Sequence, residues 1–356
     1  MKEKILSALS KVIDPDLKND LVSLNMIQDL HIEGKKVSFT VMLTTPACPL
    51  KSRFKDQCTN FIHQDVGKDI EVEIKFDSKV LNSKRTKLDK MPGVTNLIAV
   101  ASGKGGVGKS TVSVNLALAL SSFGAKVGLL DADINGPNIP VMLGLQGIRP
   151  VAQSVESKTL VAPVEKFGIK IMSLGMLVPE NKPIVWRGPM LSNAFQQLCL
   201  ETAWGELDYL IIDLPPGTGD IHITLCQQLP ITAVVVVTTP QRVSYTDTMK
   251  TIEMFKMENI EVPIIGIIEN MSYFTPTELP ENKYYIFGKG AAEELSKQYD
   301  IPILGHLPLV AGVAVRSDDG IPVMTIEGHL LRKEFLDISQ KVAQFVAILT
   351  KKTVIQ

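Results

Sequence analysis

Short apolar runs alternate with helical patterns through most of the chain after residue 93, and this alternation constrains the fold more than any other feature. Each run is short enough for one strand, and residues 234–237 are all valine, which is typical of strands covered on both faces. Strands that alternate with helices form parallel sheets. We therefore predict an α/β domain with a mostly parallel sheet and helices on both faces. The predicted strands are 97–101, 127–130, 209–212, 233–237, 264–268 and 303–307.

A smaller domain precedes this one. Apolar and polar residues alternate at 37–43 and 70–76, which predicts two half-buried strands, and apolar residues recur at helical spacing in 5–13 and 50–62. Residues 79–92 are rich in charge, and the last of them, Pro92, is followed by Gly93. We predict a small α+β domain over 1–78, a linker over 79–92 and the main domain over 93–356.

The glycine-rich segment 103–110 follows the strand ending at Ala101 and precedes a helical pattern. It matches the phosphate-loop motif, in which backbone N–H groups and a helix N-terminus surround phosphates. Lys109 is placed to reach the β- and γ-phosphates, and the Ser110 hydroxyl to bind magnesium. The predicted cofactors are therefore ATP and Mg²⁺. The residues predicted to bind the nucleotide here are Gly103, Lys104, Gly105, Gly106, Val107, Gly108, Lys109, Ser110 and Thr111.

Acidic residues follow two further predicted strands. Asp131 and Asp133 come after the strand at 127–130, and Asp213 follows the strand at 209–212. Carboxyl ends of parallel strands meet at one edge of a sheet, where ligands bind. We predict that Ser110, Asp131 and Asp213 hold Mg²⁺, partly through water, with Asp213 as the Walker B carboxylate.

Composition narrows the choice of partners and compartment. The 37 basic and 38 acidic residues give a net charge of −1, so no general attraction to nucleic acid or to an anionic membrane is expected. No run approaches the roughly 20 apolar residues that a transmembrane helix needs. The start lacks a signal-peptide pattern, and the four cysteines lie in separate segments. These features predict a cytoplasmic protein.

The motifs together resemble a known family. Lys104 within the loop, with the segments 131–133 and 213–217, resembles the deviant Walker A group that includes MinD, ParA and nitrogenase iron protein. Within that group, residues 133–138, 186–190, 217–220 and 269–272 resemble the Mrp/ApbC family of iron–sulfur cluster carriers. The resemblance covers residues 93–325.

The resemblance implies an ATPase that works as a homodimer. Lys104 is implied to cross the dimer interface to the partner's nucleotide, Asp133 to orient the attacking water and Asn270 to contact adenine. Lys104, Lys109 and Asp133 are thus the implied catalytic residues. The implied partners are apo iron–sulfur proteins and cluster assembly proteins.

The first domain resembles the small domain of iron–sulfur assembly factors, and Cys48 matches its reactive cysteine. A helix N-terminus just after Cys48 would lower its thiol pKa, whereas plain burial is the alternative. Cys199 and Cys226 lie among apolar neighbours, and we expect both to be buried. We expect His222 on a helix surface and His306 in the core.

One departure from the family leaves the function open. Cluster-carrying relatives place two cysteines, separated by two residues, where this chain has Thr275 and Glu278, and neither supplies a soft sulfur ligand. One hypothesis is a cluster carrier that delivers [4Fe–4S] units to apoproteins. A second is a nucleotide-switched adaptor that holds no cluster. A third is a partition ATPase like MinD or ParA, whose C-terminal apolar stripe over 335–349 would bind a membrane. We expect this helix to pack on its own domain instead.

Overall fold

The computed structural model describes residues 1–80, 91, 93–133, 136–155, 158–177, 194–195, 198–276, 278–279 and 281–355. The chain forms two compact units, Met1–Asn82 with Ala343–Gln356, and Ser83–Val342. Of the predicted linker 79–92, all but positions 79, 80 and 91 lie outside the described residues. Among the helices that the structure describes, none is long and apolar enough to cross a membrane.

The first unit pairs two helices with a three-stranded sheet. β3 runs antiparallel to β4, and β4 runs parallel to β5. Both predicted strands are confirmed, whereas β3 was not expected, because no residue of this edge strand is fully buried and its alternation is weak. The elements are α1 (Lys2–Leu9), β1 (Ile13–Asp14), β2 (Asn19–Asp20), β3 (Ile27–Glu33), β4 (Lys36–Leu43), α2 (Lys51–Asp65) and β5 (Glu71–Ser78).

The second unit is built on an eight-stranded sheet, which confirms all six strands predicted for it. Its strands and an additional hairpin, β8–β9, are β6 (Val94–Ala101), β7 (Val127–Asp131), β8 (Ala152–Val155), β9 (Lys158–Val161), β10 (Val164–Lys166), β11 (Ile169–Ser173), β12 (Leu207–Asp213), β13 (Ile231–Thr238), β14 (Ile264–Glu269) and β15 (Ile303–His306). The sheet order is β10-β11-β7-β12-β6-β13-β14-β15. Every neighbouring pair is parallel except β10 with β11.

Strands β10 and β11 were not predicted. They are joined by Phe167 and Gly168, which both have positive φ angles, of 52° and 78°. Phe167 is not one of the residues that normally mark such a turn, so the hairpin carries a weak sequence signal.

Helices surround this sheet, as the α/β prediction required. The described helices are α3 (Lys109–Ser122), α4 (Ile139–Met142), α5 (Leu174–Leu177), α6 (Asp220–Gln228), α7 (Arg242–Lys256), α8 (Ala291–Tyr299), α9 (Val313–Asp318) and α10 (Leu330–Ile355), with a 3₁₀ turn at Val323–Thr325. In the apolar stripe of this last helix, Phe335, Ile338 and Val342 are at most 1% exposed, whereas Phe345 and Leu349 are half-buried. The expectation that the helix packs on its own domain is confirmed for the three buried residues.

The strand order places the acidic motifs together. β12 lies between β6 and β7, and the register pairs Asp213 with Asp131 on one side and with Val100 on the other. The two carboxylates therefore end neighbouring strands at the same edge of the sheet, where the loop after β6 also begins.

Candidate functional site

A cavity of about 420 Å³ lies at this carboxyl edge. Its polar end is lined by the loop after β6, and its apolar end by residues that follow β15 and by α9 and α10. Among the apolar residues are Leu309, Val310 and Val313. The predicted site residues that line the cavity are Lys104, Gly105, Gly106, Gly108, Lys109, Ser110, Thr111, Asp133 and Asn270.

The loop at 103–108 needs glycine at two positions for steric reasons. A Cβ on Gly103 would lie 2.3 Å from the backbone carbon of Asp247 in α7. Gly108 has a φ angle of 84° and caps α3, and a Cβ there would lie 2.2 Å from the amide nitrogen of Asn270. The loop therefore turns directly into a helix N-terminus, whose first N–H groups have no partner within the helix and suit an anion.

Asp213 links this loop to the sheet. Its carboxylate is fully buried and receives hydrogen bonds from Ser110 Oγ at Oδ2 and from Ser113 Oγ at Oδ1, both 2.6 Å long. Lys109 Nζ, which is also buried, lies 2.8 Å from Asp213 Oδ2. Removing one partner of a buried ion pair costs about 3–5 kcal/mol, because the other charge is left buried and uncompensated.

Asp133 lies beside the same lysine in the lining of the cavity. Its Oδ2 is 3.8 Å from Lys109 Nζ. The side chain is thus placed beside the phosphate loop, as the resemblance implied, although its role in orienting water stays a prediction.

Asp131, like Asp213, is absent from the cavity lining, and its predicted role in holding Mg²⁺ stays a prediction. Its carboxylate accepts hydrogen bonds from Ser173 Oγ, from Asp133 N and from Ile139 N. Burial, together with the negative charge of Asp213, raises the pKa of Asp131 to about 8. Its observed contacts hold the turn that carries Asp133.

The oxygen atoms at the loop suit a hard cation. Ser110 Oγ and Asp213 Oδ2 lie 2.6 Å apart behind the glycine-rich turn. Mg²⁺ takes one or two protein oxygens and otherwise binds water and phosphate, so the residues present fit it.

Asn270 packs against the glycine-rich loop at Val107 and Gly108. Its Nδ2 donates to the Val107 carbonyl at 2.8 Å. A carbonyl can only accept, so this bond fixes which of the two amide atoms of Asn270 faces the loop.

The preceding residue, Glu269, is a buried carboxylate at the end of β14. Glu269 is 3% exposed and accepts bonds from Ser272 Oγ, Ala292 N and His306 Nδ1. Burial alone would raise the pKa of Glu269, but the bonds from His306, Ser272 and Ala292 outweigh it and lower that pKa. The bond to Glu269 raises the pKa of His306. The expectation that His306 is a core residue was wrong, since its side chain is 37% exposed.

The cysteines do not form a metal centre in the described part of the chain. Burial raises the pKa of Cys48 to about 11 and outweighs the lowering by its backbone hydrogen bond with Leu50, which favours the alternative of plain burial. Cys199 and Cys226 are buried, as predicted. Thr275 is half-buried and Glu278 is exposed. No group of three or more His, Cys, Asp or Glu residues able to hold a metal is found among the described residues.

Sequence reasoning missed three residues of the site. Ser113 lies one helical turn beyond Lys109, so helical spacing could have placed it near Asp213. Ser173 lies on β11, which was not predicted, so no sequence pattern placed it near the site. His222 was expected on a helix surface, yet it is only 2% exposed. The motif residues 134–135 and 186–190 lie outside the described residues.

The glycine-rich loop between a strand and a helix, with Lys109, Ser110 and Asp213 in contact, defines a P-loop nucleotide-binding protein. The family model of NUBPL iron-transfer P-loop NTPases matches residues 93–343, and a model of iron–sulfur cluster assembly proteins matches residues 2–74. The chain belongs to the NUBPL iron-transfer P-loop NTPase family, which confirms the predicted resemblance.

Similar proteins include two named iron–sulfur cluster carrier protein. The one from Synechocystis is 46% identical over 323 residues, which are 90% of this chain and 91% of the relative. The one from Escherichia coli K12 is 40% identical over 350 residues, 98% of this chain and 92% of the relative. A nucleotide-binding protein from Archaeoglobus fulgidus, solved in complex with ADP, has a TM-score of 0.56 and 38% identity, covering 66% of this chain and 88% of that one.

The Glu269–His306 contact predicts a pH-dependent contribution to stability. Because the folded-state pKa of His306 is raised, this contribution is complete below the ordinary histidine pKa and disappears as the pH rises through the raised value. We expect His306→Gln to lower the melting temperature by about 1–3 °C at pH 6 and by less at pH 9. Thermal unfolding at both pH values measures this, with the exposed His31→Gln as control. An equal loss at both pH values would contradict it.

Proposed function

We propose that this chain binds Mg-ATP at the loop 103–111, hydrolyses it, and uses the nucleotide cycle in iron–sulfur cluster transfer or assembly. The observation that carries the proposal is the contact of Lys109 and Ser110 with the buried Asp213 directly beneath the loop. Family membership and the names of the relatives support the link to clusters.

Each polar group at the loop has a task in phosphoryl transfer. The backbone N–H groups at the start of α3 would bind the β-phosphate, and Lys109 would neutralise charge on the β- and γ-phosphates. When bound at Ser110 and near Asp213, Mg²⁺ supplies further neutralisation of the phosphates. Asp133 would orient the attacking water, because it lies 3.8 Å from Lys109 on the cavity wall.

The apolar end of the cavity would hold the base. The fixed Oδ1 of Asn270 can accept a hydrogen bond from the 6-amino group of adenine, whereas guanine presents a carbonyl oxygen at that position. An acceptor facing an acceptor is left unpaired, which disfavours guanine. The proposed nucleotide is therefore ATP rather than GTP.

A second copy of the chain would complete the active site. Lys104 lines the cavity, and no ion pair involving it occurs within the described residues. The family resemblance implies that this lysine reaches the nucleotide of a partner subunit. We accordingly propose a homodimer in which hydrolysis depends on Lys104.

Two forms of the cluster function follow from this architecture. In the first, the chain carries a cluster and delivers it to apoproteins. In the second, it is a nucleotide-switched adaptor that binds assembly proteins and holds no cluster. Thr275 and Glu278 at the place of the expected thiols favour the second form, since neither binds iron as sulfur does.

Lysine substitutions test the ATPase proposal. We expect Lys109→Ala to abolish Mg-ATP binding, and Lys104→Ala to bind ATP normally but to lose about 100-fold or more in turnover. Calorimetry measures binding and phosphate release measures turnover. The exposed Lys126→Ala is the control. Because Lys109→Ala leaves a buried carboxylate unpaired, its melting temperature must be measured as well. Equal turnover by Lys104→Ala and the unaltered protein would refute the cross-subunit role.

Base preference tests the orientation of Asn270. We expect ATP to bind at least about 10-fold more tightly than GTP, because the mismatched pair costs roughly 1–3 kcal/mol. Asn270→Ala should remove this preference, and the exposed Asn282→Ala should keep it. Competition binding with both nucleotides measures the ratio. An unchanged preference in Asn270→Ala would rule out the proposed contact.

Anaerobic reconstitution with iron and sulfide separates the carrier from the adaptor. If the chain is an adaptor, the unaltered protein should show no cluster absorbance or acid-labile sulfide. The double variant Thr275→Cys with Glu278→Cys should gain both, because it restores paired thiols. Stoichiometric cluster in the unaltered protein that is lost in Cys48→Ser would instead establish a carrier that uses the first unit.

A further inference from the structure

His222 occupies an unusual position beside the candidate nucleotide site. It lies in the first turn of α6 and is 2% exposed. Its Nε2 atom is 2.8 Å from the carbonyl oxygen of Pro215, in the loop that joins β12 to α6. The histidine thus connects the start of a helix with the segment that immediately follows Asp213.

The hydrogen bond determines the tautomer of the ring. A carbonyl oxygen only accepts, so the proton of a neutral imidazole must be on Nε2. Burial lowers the pKa of His222, which keeps the ring neutral. Among the described residues, the buried Nδ1 atom has no partner within hydrogen-bond distance, and the Gly219 backbone interacts with the ring more weakly than the Pro215 carbonyl does.

The loop that His222 holds is also tied to the strand before the phosphate loop. Leu214 N donates to Val100 O, and Gly217 N donates to Ser102 O at 2.8 Å. Between these two bonds, Pro216 lines the cavity, and its Cγ would be 3.9 Å from a Cβ on Gly105. The segment 214–217 therefore forms a wall beside the phosphate loop, attached to β6 by backbone bonds and to α6 by His222.

We propose that His222 is a positioning residue that holds this wall against the phosphate loop by joining it to the start of α6. This inference rests on the proposed ATP hydrolysis. Nucleotide binding uses mainly the loop 103–111 and the Asn270 end of the cavity. Loss of the His222 bond releases only the wall near Gly105, Lys109 and Asp133, so it slows turnover more than it weakens binding.

Substitutions that differ in reach and in donor capacity test the proposal. His222→Gln keeps an N–H donor with similar reach, His222→Asn has a donor that is too short, and His222→Leu has none. We expect His222→Leu and His222→Asn to lower kcat for Mg-ATP by about 10-fold, with KM changed less than about twofold. The kcat of His222→Gln should stay within about threefold of that of the unaltered protein. The exposed His31→Leu is the control. The proposal would be overturned if His222→Gln lost as much kcat as His222→Leu, or if His222→Leu kept an unchanged kcat. It would also be overturned if KM rose by the same factor by which kcat fell.

Hydrogen exchange separates this inference from the proposed function. The amides of Leu214, Gly217, Thr218 and Gly219 should exchange about 10-fold faster in folded His222→Asn than in the unaltered protein or in His222→Gln, whether or not ATP is hydrolysed. If the unaltered protein hydrolyses no ATP but the loop amides behave in this way, the ATPase proposal fails and the positioning of the loop stands. Unchanged exchange in both His222→Asn and His222→Leu would disprove the positioning role directly.

Discussion

The buried carboxylate of Asp213 is the contact on which the rest of the site depends. It ends the central strand β12 and accepts bonds from Ser110 and Ser113 while lying 2.8 Å from Lys109 Nζ. These three residues belong to the first turn and a half of α3, so a single charge attaches the helix N-terminus to the sheet. The direction of that helix, and with it the direction of the free N–H groups of the loop, follows from this attachment.

The rest of the cavity is arranged around that attachment by neighbouring strands. β12 lies between β6 and β7, and β14 lies on the far side of β13. Ser102, which directly follows β6, lines the cavity, while Asp131 ends β7 and Glu269 ends β14. Asp131 holds the turn that carries Asp133, and Glu269 lies next to Asn270 in the chain and accepts a bond from Ala292 N.

The sequence was sufficient for features that local patterns encode. The apolar runs predicted the main strands, and the glycine-rich segment predicted the loop, because strand burial and positive φ angles restrict the residue types directly. The outcome for Cys48 depended instead on burial by residues distant in sequence, which raises its thiol pKa to about 11. Ser173 and His222 likewise gained their contacts from chain segments whose placement no local pattern specifies. The hairpin at Phe167 escaped prediction because a phenylalanine occupies its left-handed turn.

The contact between Gly108 and Asn270 couples two positions that lie far apart in the sequence. The amide of Asn270 lies against Gly108 and donates a hydrogen bond to the carbonyl of Val107. A larger residue at position 108 would require a smaller one at position 270, which in turn would leave that carbonyl unpaired. A substitution of this one glycine would therefore change both the backbone of the loop and the side chain that packs against it.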